Sequence, residues 1–425
     1  MKRIPGPFLT ASTLCWALLF AAPTVVADEV RLGASLDELI AYARQHNPEL
    51  AAQRLEAEAA RERIEPAAAL PDPKFQIELM DFTNAMSGGS TSLLPGEVGQ
   101  TRYRVIQPLP FYGKRDLRGN VAGALASQAA RGSDAVTLDI ESRIKIAYTR
   151  YYQAAGQAAI VGEALTLVEA LGRLVETRYS VGLVPQQDVL RAHSEVTSLK
   201  LDLVDIERRR RDAAAQLNAQ LPRRATAPLA QPEGLPAVPD RLAFDALLEQ
   251  ARTASPELAR ERYGVDAAAN NRELVHLNRY PDFSVGLTNN RPKSGKDNWD
   301  LMLEVNIPLQ QSSRRAQERE AEHRVNAAQS RVAAVEARLD GRIGETLAAF
   351  EASSDKARLL RDTLLPQSRA NLEAAQAGYE SGRVNFNTLI EAERQVLRSR
   401  LALLDADSEI RIRYAELERL VGAPL

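Results

Sequence analysis

Residues 299–309, WDLMLEVNIPL, alternate with hardly a slip. Trp299, Leu301, Leu303, Val305, Ile307 and Leu309 share one face of an extended chain, and Asp300, Met302, Glu304, Asn306 and Pro308 share the other. A period of two over this length predicts a β-strand. Three more stretches behave alike: 73–82, 102–110 and 282–289. In the first, Phe75, Ile77 and Leu79 alternate with Lys74, Gln76 and Glu78; in the third, Phe283, Val285 and Leu287 alternate with Ser284, Gly286 and Thr288. The connecting stretches TNAMSGGSTSLLPGEVGQ and NRPKSGKDN are rich in Gly, Ser and Asn, which places them in water.

Between these hairpins the pattern is helical. Residues 113–178 hold no proline, and an unbroken helix of that length would approach ~100 Å. The matching tract 312–378 holds Pro366, which predicts a kink or local break. Further on, Val189, Val196, Leu203 and Leu217 recur at heptad spacing, with Ala192, Leu199, Ile206 and Ala213 between them. Leu389, Val396, Leu403, Ile410 and Leu417 repeat the pattern, so both helices need partners wound against them.

The chain is a tandem repeat. LDELIAYARQHNPELAAQR (36–54) aligns with FDALLEQARTASPELARER (244–262) without a gap, carrying Pro48 onto Pro256 and Glu49 onto Glu257. RYSVGLV (178–184) aligns with GYESGRV (378–384), and QPLPFYGKR (107–115) with IPLQQSSRR (307–315). Each copy reads helix, hairpin, long helix, turn, helix, which is duplication of a whole structural unit. The expected organisation is a first repeat over 28–221 with its hairpin at 73–110, and a second over 243–425 with its hairpin at 282–309. The intervening 222–242, rich in proline, is expected to be an extended connector outside any core.

Composition narrows the setting. Lys2 and Arg3 precede an apolar stretch, LCWALLFAA, and a small-residue exit ending on Ala27, so 1–27 reads as a secretory signal peptide. The chain's one cysteine, Cys15, lies at the front of that stretch, not behind it; this argues against lipidation and leaves a mature chain without thiols. The formal charge of −2 argues against a nucleic-acid partner. Aromatics are only 5% of the chain, which suits long helices with narrow seams better than one large core. After residue 27 no segment is apolar for long enough to span a membrane as a helix.

Strands of about ten residues, apolar on one face and charged on the other, match a transmembrane barrel with lipid outside and water inside. Alternation alone equally allows two half-buried hairpins packed on helices. Export, the lack of a separate core for those faces, and aromatics at strand ends (Tyr103, Phe111, Tyr112, Tyr280, Trp299) favour the barrel. Four strands cannot close, so several protomers must each contribute two hairpins.

The duplicated layout and the two turns, YSVGLVPQQDVL and YESGRVNFNTLI, resemble the TolC-type outer-membrane efflux proteins over essentially all of the mature sequence. QPLPFYGKR looks like the variant found in the heavy-metal efflux, CzcC-like subgroup. The resemblance implies a mainly α protein with a membrane β-barrel: a homotrimer with a 12-stranded outer-membrane barrel and a periplasmic α-helical coiled-coil tunnel. It also implies a passive exit duct for metal cations or small toxic compounds, working with a periplasmic adaptor and an inner-membrane RND-type pump. Tyr179, Gly182, Leu183 and Val184 at one turn, and Tyr379, Gly382 and Val384 at the other, look like the family's adaptor-docking tips. Pro185 suits the first turn of the following helix. Glu373 stands where the family commonly places a pore-facing carboxylate at the periplasmic gate; it reads equally as an exposed helix glutamate. Arg173 holds the equivalent place in the first copy. A polypeptide-secretion duct and an adhesive, membrane-anchored stalk are the alternative functions.

Other residues carry no chemistry. The four histidines (His46, His193, His276, His323) lack ligand spacing, and no metal or cofactor is expected. ERRRRD (207–212) reads as a solvated helix face. No nucleophile–base pair or phosphate-binding glycine loop is present, which argues against an enzyme.

Overall fold

The computed structural model describes residues 32–86 and 89–425; the expected signal peptide lies outside the described residues. In the first half, α1 (Leu36–His46), α2 (Pro48–Glu62) and α3 (Ile64–Ala68) lead to strands β1 (Lys74–Met80) and β2 (Gln100–Leu109). Two helices follow, α4 (Lys114–Ser180) and α5 (Gln186–Gln220). The second half repeats this with α6 (Phe244–Ala254), α7 (Pro256–Leu277), β3 (Asp282–Pro292), β4 (Asn298–Asn306), α8 (Gln311–Leu359), α9 (Leu365–Glu380) and α10 (Phe386–Val421). The entry to α2 shows why these boundaries fall where they do. Asn47 Oδ1 accepts from the backbone N–H of Glu49 (2.8 Å) and Leu50 (3.2 Å), and Pro48 at the first helical position forgoes a donor that would be unpaired anyway.

The four strands form one antiparallel sheet in the order β1-β2-β3-β4. Its register places Phe75, Val105, Leu287 and Leu301 in one cross-strand row, and Ile77, Tyr103, Asn289 and Trp299 in the next. Strand β4 stops at Asn306, three residues short of the alternating pattern, because Pro308 has no N–H to offer a ladder. Pro108 is tolerated in β2 because it lies past the last β1–β2 pair, Lys74 with Ile106, where β2 is paired on one side only.

Helix α4 is 67 residues long, roughly 100 Å. It packs on α5, α7 and α10, and α10 packs in turn on α9. Both heptad stripes are buried in these seams: Ala192, Leu199, Ile206, Ala213 and Leu217 on α5, and Leu389, Val396, Ile410 and Leu417 on α10. The break expected at Pro366 takes the form of a π-helical turn, Leu360–Leu364, immediately before Leu365. The backbone N–H of Leu365 bonds to the carbonyl of Leu360, five residues back. The extra residue keeps Leu360 and Leu365 both buried, so the stripe on this side of the bundle stays in phase through the proline.

Two expectations need correction. The 222–242 connector is extended but contributes to a core. Leu229 and Leu235 pack against Ile140, Ile144 and Tyr148 of α4, and Tyr148 Oη donates to the carbonyls of Ala34 (2.8 Å) and Gly234 (3.1 Å). Backbone pairing of Ala230 with Leu32 (2.9 Å) lays the segment along the N-terminal residues; once its donors and acceptors are satisfied, its prolines and leucines can be covered. Pro185 stands just before α5, at ψ 153°, and not inside its first turn.

The sheet is fastened to the helices through Lys114. Its ammonium, on a residue only 2% exposed, donates to Asp282 Oδ1 (2.8 Å) and to the carbonyl of Tyr280 (3.1 Å). Asp282 Oδ1 also accepts from the backbone N–H of Phe111 (2.8 Å), so one carboxylate joins the start of α4 to the start of β3. Asp282→Ala strands a buried ammonium, whereas Lys114→Met leaves a carboxylate that water can reach. We expect Asp282→Ala to lower unfolding free energy by about 3 kcal/mol and Lys114→Met by clearly less. Urea unfolding of the two detergent-solubilised variants measures the difference.

Candidate channel wall and docking tips

The sheet turns a large apolar surface outward. Leu301 (79% exposed), Leu303 (70%), Trp299 (65%) and Phe75 (62%) lie on this face with Ile77, Val105, Val285 and Leu287, and no element among the described residues covers them. Such a surface is far beyond what a water-soluble monomer carries. Placing each of these side chains in hydrocarbon gains about 1.5–3 kcal/mol. Aromatic residues edge the band. Phe111 stacks on Tyr280 (4.6 Å between centroids) beside exposed Tyr112 at the helix end, while Tyr103 and Trp299 share a row toward the loops. From Tyr103 to Phe111 is roughly 27 Å of extended chain, comparable with the ~25 Å apolar band of an outer-membrane barrel.

The opposite face is charged and connected. Glu78 lies 3.6 Å from Arg102 and 4.0 Å from Arg104, Arg104 Nε donates to Thr288 Oγ1 (3.1 Å), and Asn290 Nδ2 donates to Asp300 (2.5 Å). These pairs run across all four strands, which is the lining a water-filled lumen requires.

At the far end of the long helices lie the two turns. Gly182 (φ 77°) and Gly382 (φ 71°) both adopt the left-handed conformation that ends a helix, and each donates its N–H to the tyrosine three residues back, Tyr179 (2.9 Å) and Tyr379 (3.1 Å). The sequence repeat conceals a difference in chemistry. Tyr179 is 46% exposed and Leu183 73%, and Val181 between them is also exposed, so the first turn is an apolar projection. Tyr379 is only 4% exposed, tilted against Phe386 at 5.7 Å, and the surface of the second turn is left to Ser381, Gly382 and Arg383. Val184 and Val384 are half-buried under their turns.

Two residues that the sequence reading did not single out accompany this divergence: Phe386, where the first copy has Gln186, packs on Tyr379, and Arg178 covers it from the neighbouring turn. Its guanidinium stands 4.9 Å over the Tyr379 ring and donates to the Tyr379 carbonyl (3.2 Å), clamping one turn to the other. The second copy has Gly378 at the equivalent place, and a β-carbon there would come within 3.1–3.2 Å of the Val384 methyls. The mismatch of Arg178 with Gly378 was the available signal. Burial pushes the Tyr379 hydroxyl pKa up, against the pull of Arg178, and its oxygen has no hydrogen-bond partner among the described residues.

Glu373 is exposed on α9, well above the second turn, with no ion pair among the described residues; Arg173 is likewise exposed on α4. Among the described residues no cluster of His, Cys, Asp and Glu could hold a metal ion.

The family model described as outer membrane efflux protein matches residues 39–221 and 247–423, each segment holding one hairpin and its long helices. The chain belongs to the outer membrane efflux protein family. It is similar to the cobalt-zinc-cadmium resistance protein CzcC of Cupriavidus metallidurans, with 24% identity over 91% of this chain and 90% of that one. In fold it resembles a membrane protein from Pseudomonas aeruginosa (TM-score 0.77, 20% identity, 92% and 91% of the two chains). It resembles also the outer membrane protein VceC of Vibrio cholerae (TM-score 0.74, 19% identity, 92% and 96%). An outer membrane efflux protein is the outer-membrane duct of a tripartite efflux system, a channel and not an enzyme. Members of the family are trimers that work with an adaptor and a pump.

For this outer membrane efflux protein, Arg178→Ala should free the second turn while leaving the sheet intact. The Tyr379 ring then loses its cation, an interaction of about 0.5–2 kcal/mol. Faster amide exchange confined to 376–386, with barrel amides unchanged, is the expected result of hydrogen-exchange mass spectrometry.

Proposed function

We propose that three copies of this chain form a passive exit duct for metal cations, fed by an RND-type inner-membrane pump through a periplasmic adaptor that grips both turns. The observation that carries the duct is the sheet itself, apolar on one side and charged on the other, with β1 and β4 unpaired at its edges. Threefold repetition supplies twelve strands and removes both edges. The metal reading is supported by the likeness to a protein named for cobalt, zinc and cadmium resistance. Deleting the gene should sensitise cells to divalent metals more than to organic drugs. A purely drug-sensitive profile overturns the cargo assignment.

In this reading Tyr179, Gly182, Leu183 and Val184 are the first docking tip and Tyr379, Gly382 and Val384 the second. Proline fixes φ near −65°, opposite in sign to what either glycine adopts, and deletes the donor that closes the turn. Gly182→Pro or Gly382→Pro should abolish efflux with trimers still present in the outer membrane. Full resistance together with intact adaptor cross-linking in both variants removes the turns from docking.

Glu373 supplies the gate. A threefold axis turns it into a ring of three carboxylates that draws cations to the aperture and repels anions. Glu373→Lys reverses that ring and should shift selectivity toward anions in single-channel recordings under asymmetric salt. A carboxylate on the outer surface is screened within roughly 8–10 Å of solution, and an unchanged reversal potential assigns Glu373 there.

A further inference from the structure

Helix α10 buries one carboxyl group to which the duct gives no part. Glu393 is only 6% exposed and has no hydrogen bond or ion pair among the described residues. Each element packed around it withholds a partner. From α5 comes a second buried carboxylate, Glu195 (5% exposed), already held by Arg394 through Nε and Nη2. Arg400, two turns farther along α10, attracts Glu393 but stands 2.7 Å from Glu163 of α4. Helix α4 otherwise turns Val161, Ala164 and Val168 into this seam. Helix α9 turns in Leu372, Ala375 and Tyr379, the last already covered by Arg178. The matching residue of the first copy is His193, exposed and 2.6 Å from Glu176, so the unpaired acid belongs to the second helix pair alone.

We propose that Glu393 is a proton-binding site that sets how tightly α10 packs at its periplasmic end, and with it the width of the aperture. The link to the aperture rests on the duct and the Glu373 gate proposed above. Glu393 stands seven residues into α10, and Glu373 seven residues before the end of α9, so both lie roughly 10 Å from the second turn. Helices α9 and α10 pack on each other, so a displacement of α10 is felt by the helix that carries Glu373. A protonated carboxyl is neutral and is tolerated among these apolar neighbours. The ionised form has lost its water, faces Glu195 and finds no donor. Burial pushes the Glu393 pKa up; Arg400 pulls it the other way and Glu195 adds to the rise. An acid whose pKa is raised in the packed form favours that form while protonated. The contribution is present at acid pH and is lost as pH climbs from the ordinary carboxylate range through the raised value. The periplasmic end therefore tightens in acid and loosens as Glu393 ionises.

Hydrogen-exchange mass spectrometry of the detergent-solubilised protein, corrected for the intrinsic pH dependence of amide exchange, reads this packing. Opening of 386–400 should rise with pH by at most about tenfold per unit, the limit for one proton, and then level off. Glu393→Gln keeps the shape without the charge and should hold 386–400 at its acid level throughout. Arg400→Gln removes the cation that favours the ionised form and should move the rise to higher pH, a displacement that a purely structural role for Glu393 does not produce. In planar bilayers, conductance should climb over the same pH range and stay low and flat in Glu393→Gln. The site is overturned if the unsubstituted protein exchanges alike at every pH, if Glu393→Gln keeps the rise, or if Arg400→Gln leaves the midpoint in place. Exchange that follows pH while conductance does not overturns the link to the aperture. Because exchange is read within each copy of the chain, a monomer on sizing overturns the duct and that link, and the pH response of 386–400 still decides whether Glu393 binds the proton.

Discussion

A strand edge in hydrocarbon has no partner for its N–H and C=O groups, and each unsatisfied group there costs several kcal/mol. The sheet of this protein ends in two such edges, β1 and β4, while its apolar face admits no environment but lipid. The chain is thereby committed to association with copies of itself before any helix contact is considered. The long helices inherit that geometry. They leave the same end of the sheet, held there by the Lys114 ammonium and the Asp282 carboxylate, and they too must close into a ring.

Little conventional core is available for this. The buried residues of α4, α5, α9 and α10 form narrow seams with frequent alanine, and stability is spread along the seams. Polar groups are placed within them where they can be paired. Glu195 of α5, 5% exposed, accepts from Arg394 of α10 through Nε, whose one N–H is shared between the two carboxylate oxygens at 2.9 and 3.0 Å, and through Nη2, and Gln153 and Gln157 of α4 both donate to Asp405 at 2.8 Å. Such pairs are costly to mispair, so they fix the register of helices that could otherwise slide by a heptad.

Most of the fold was legible because its signals are periodic. Alternation at Phe283, Val285 and Leu287 and heptads from Val189 to Leu217 specify elements by repetition, and the internal duplication states each of them twice. What was not legible depends on single contacts. Nothing in the connector's prolines reveals that Tyr148 will reach the carbonyls of Ala34 and Gly234 and draw Leu229 and Leu235 inward. Pro366 announces a disturbance, but only the buried pair Leu360 and Leu365 shows it resolved as one inserted residue. The turns were the hardest case. Tyr179 and Tyr379 match in sequence, and their opposite burial goes with two unmatched neighbours of Tyr379, Arg178 and Phe386.

That divergence sets a rule of symmetry. A ring built from duplicated hairpins has as many turns as copies of the duplicated unit, but here the turns alternate in kind, one apolar and protruding, the next polar with its tyrosine folded away. The end of the ring is therefore threefold in character even where its helices approximate a sixfold arrangement. A partner made of identical subunits that grips every turn must accept two unlike environments, and one that reads only a single kind engages every second position.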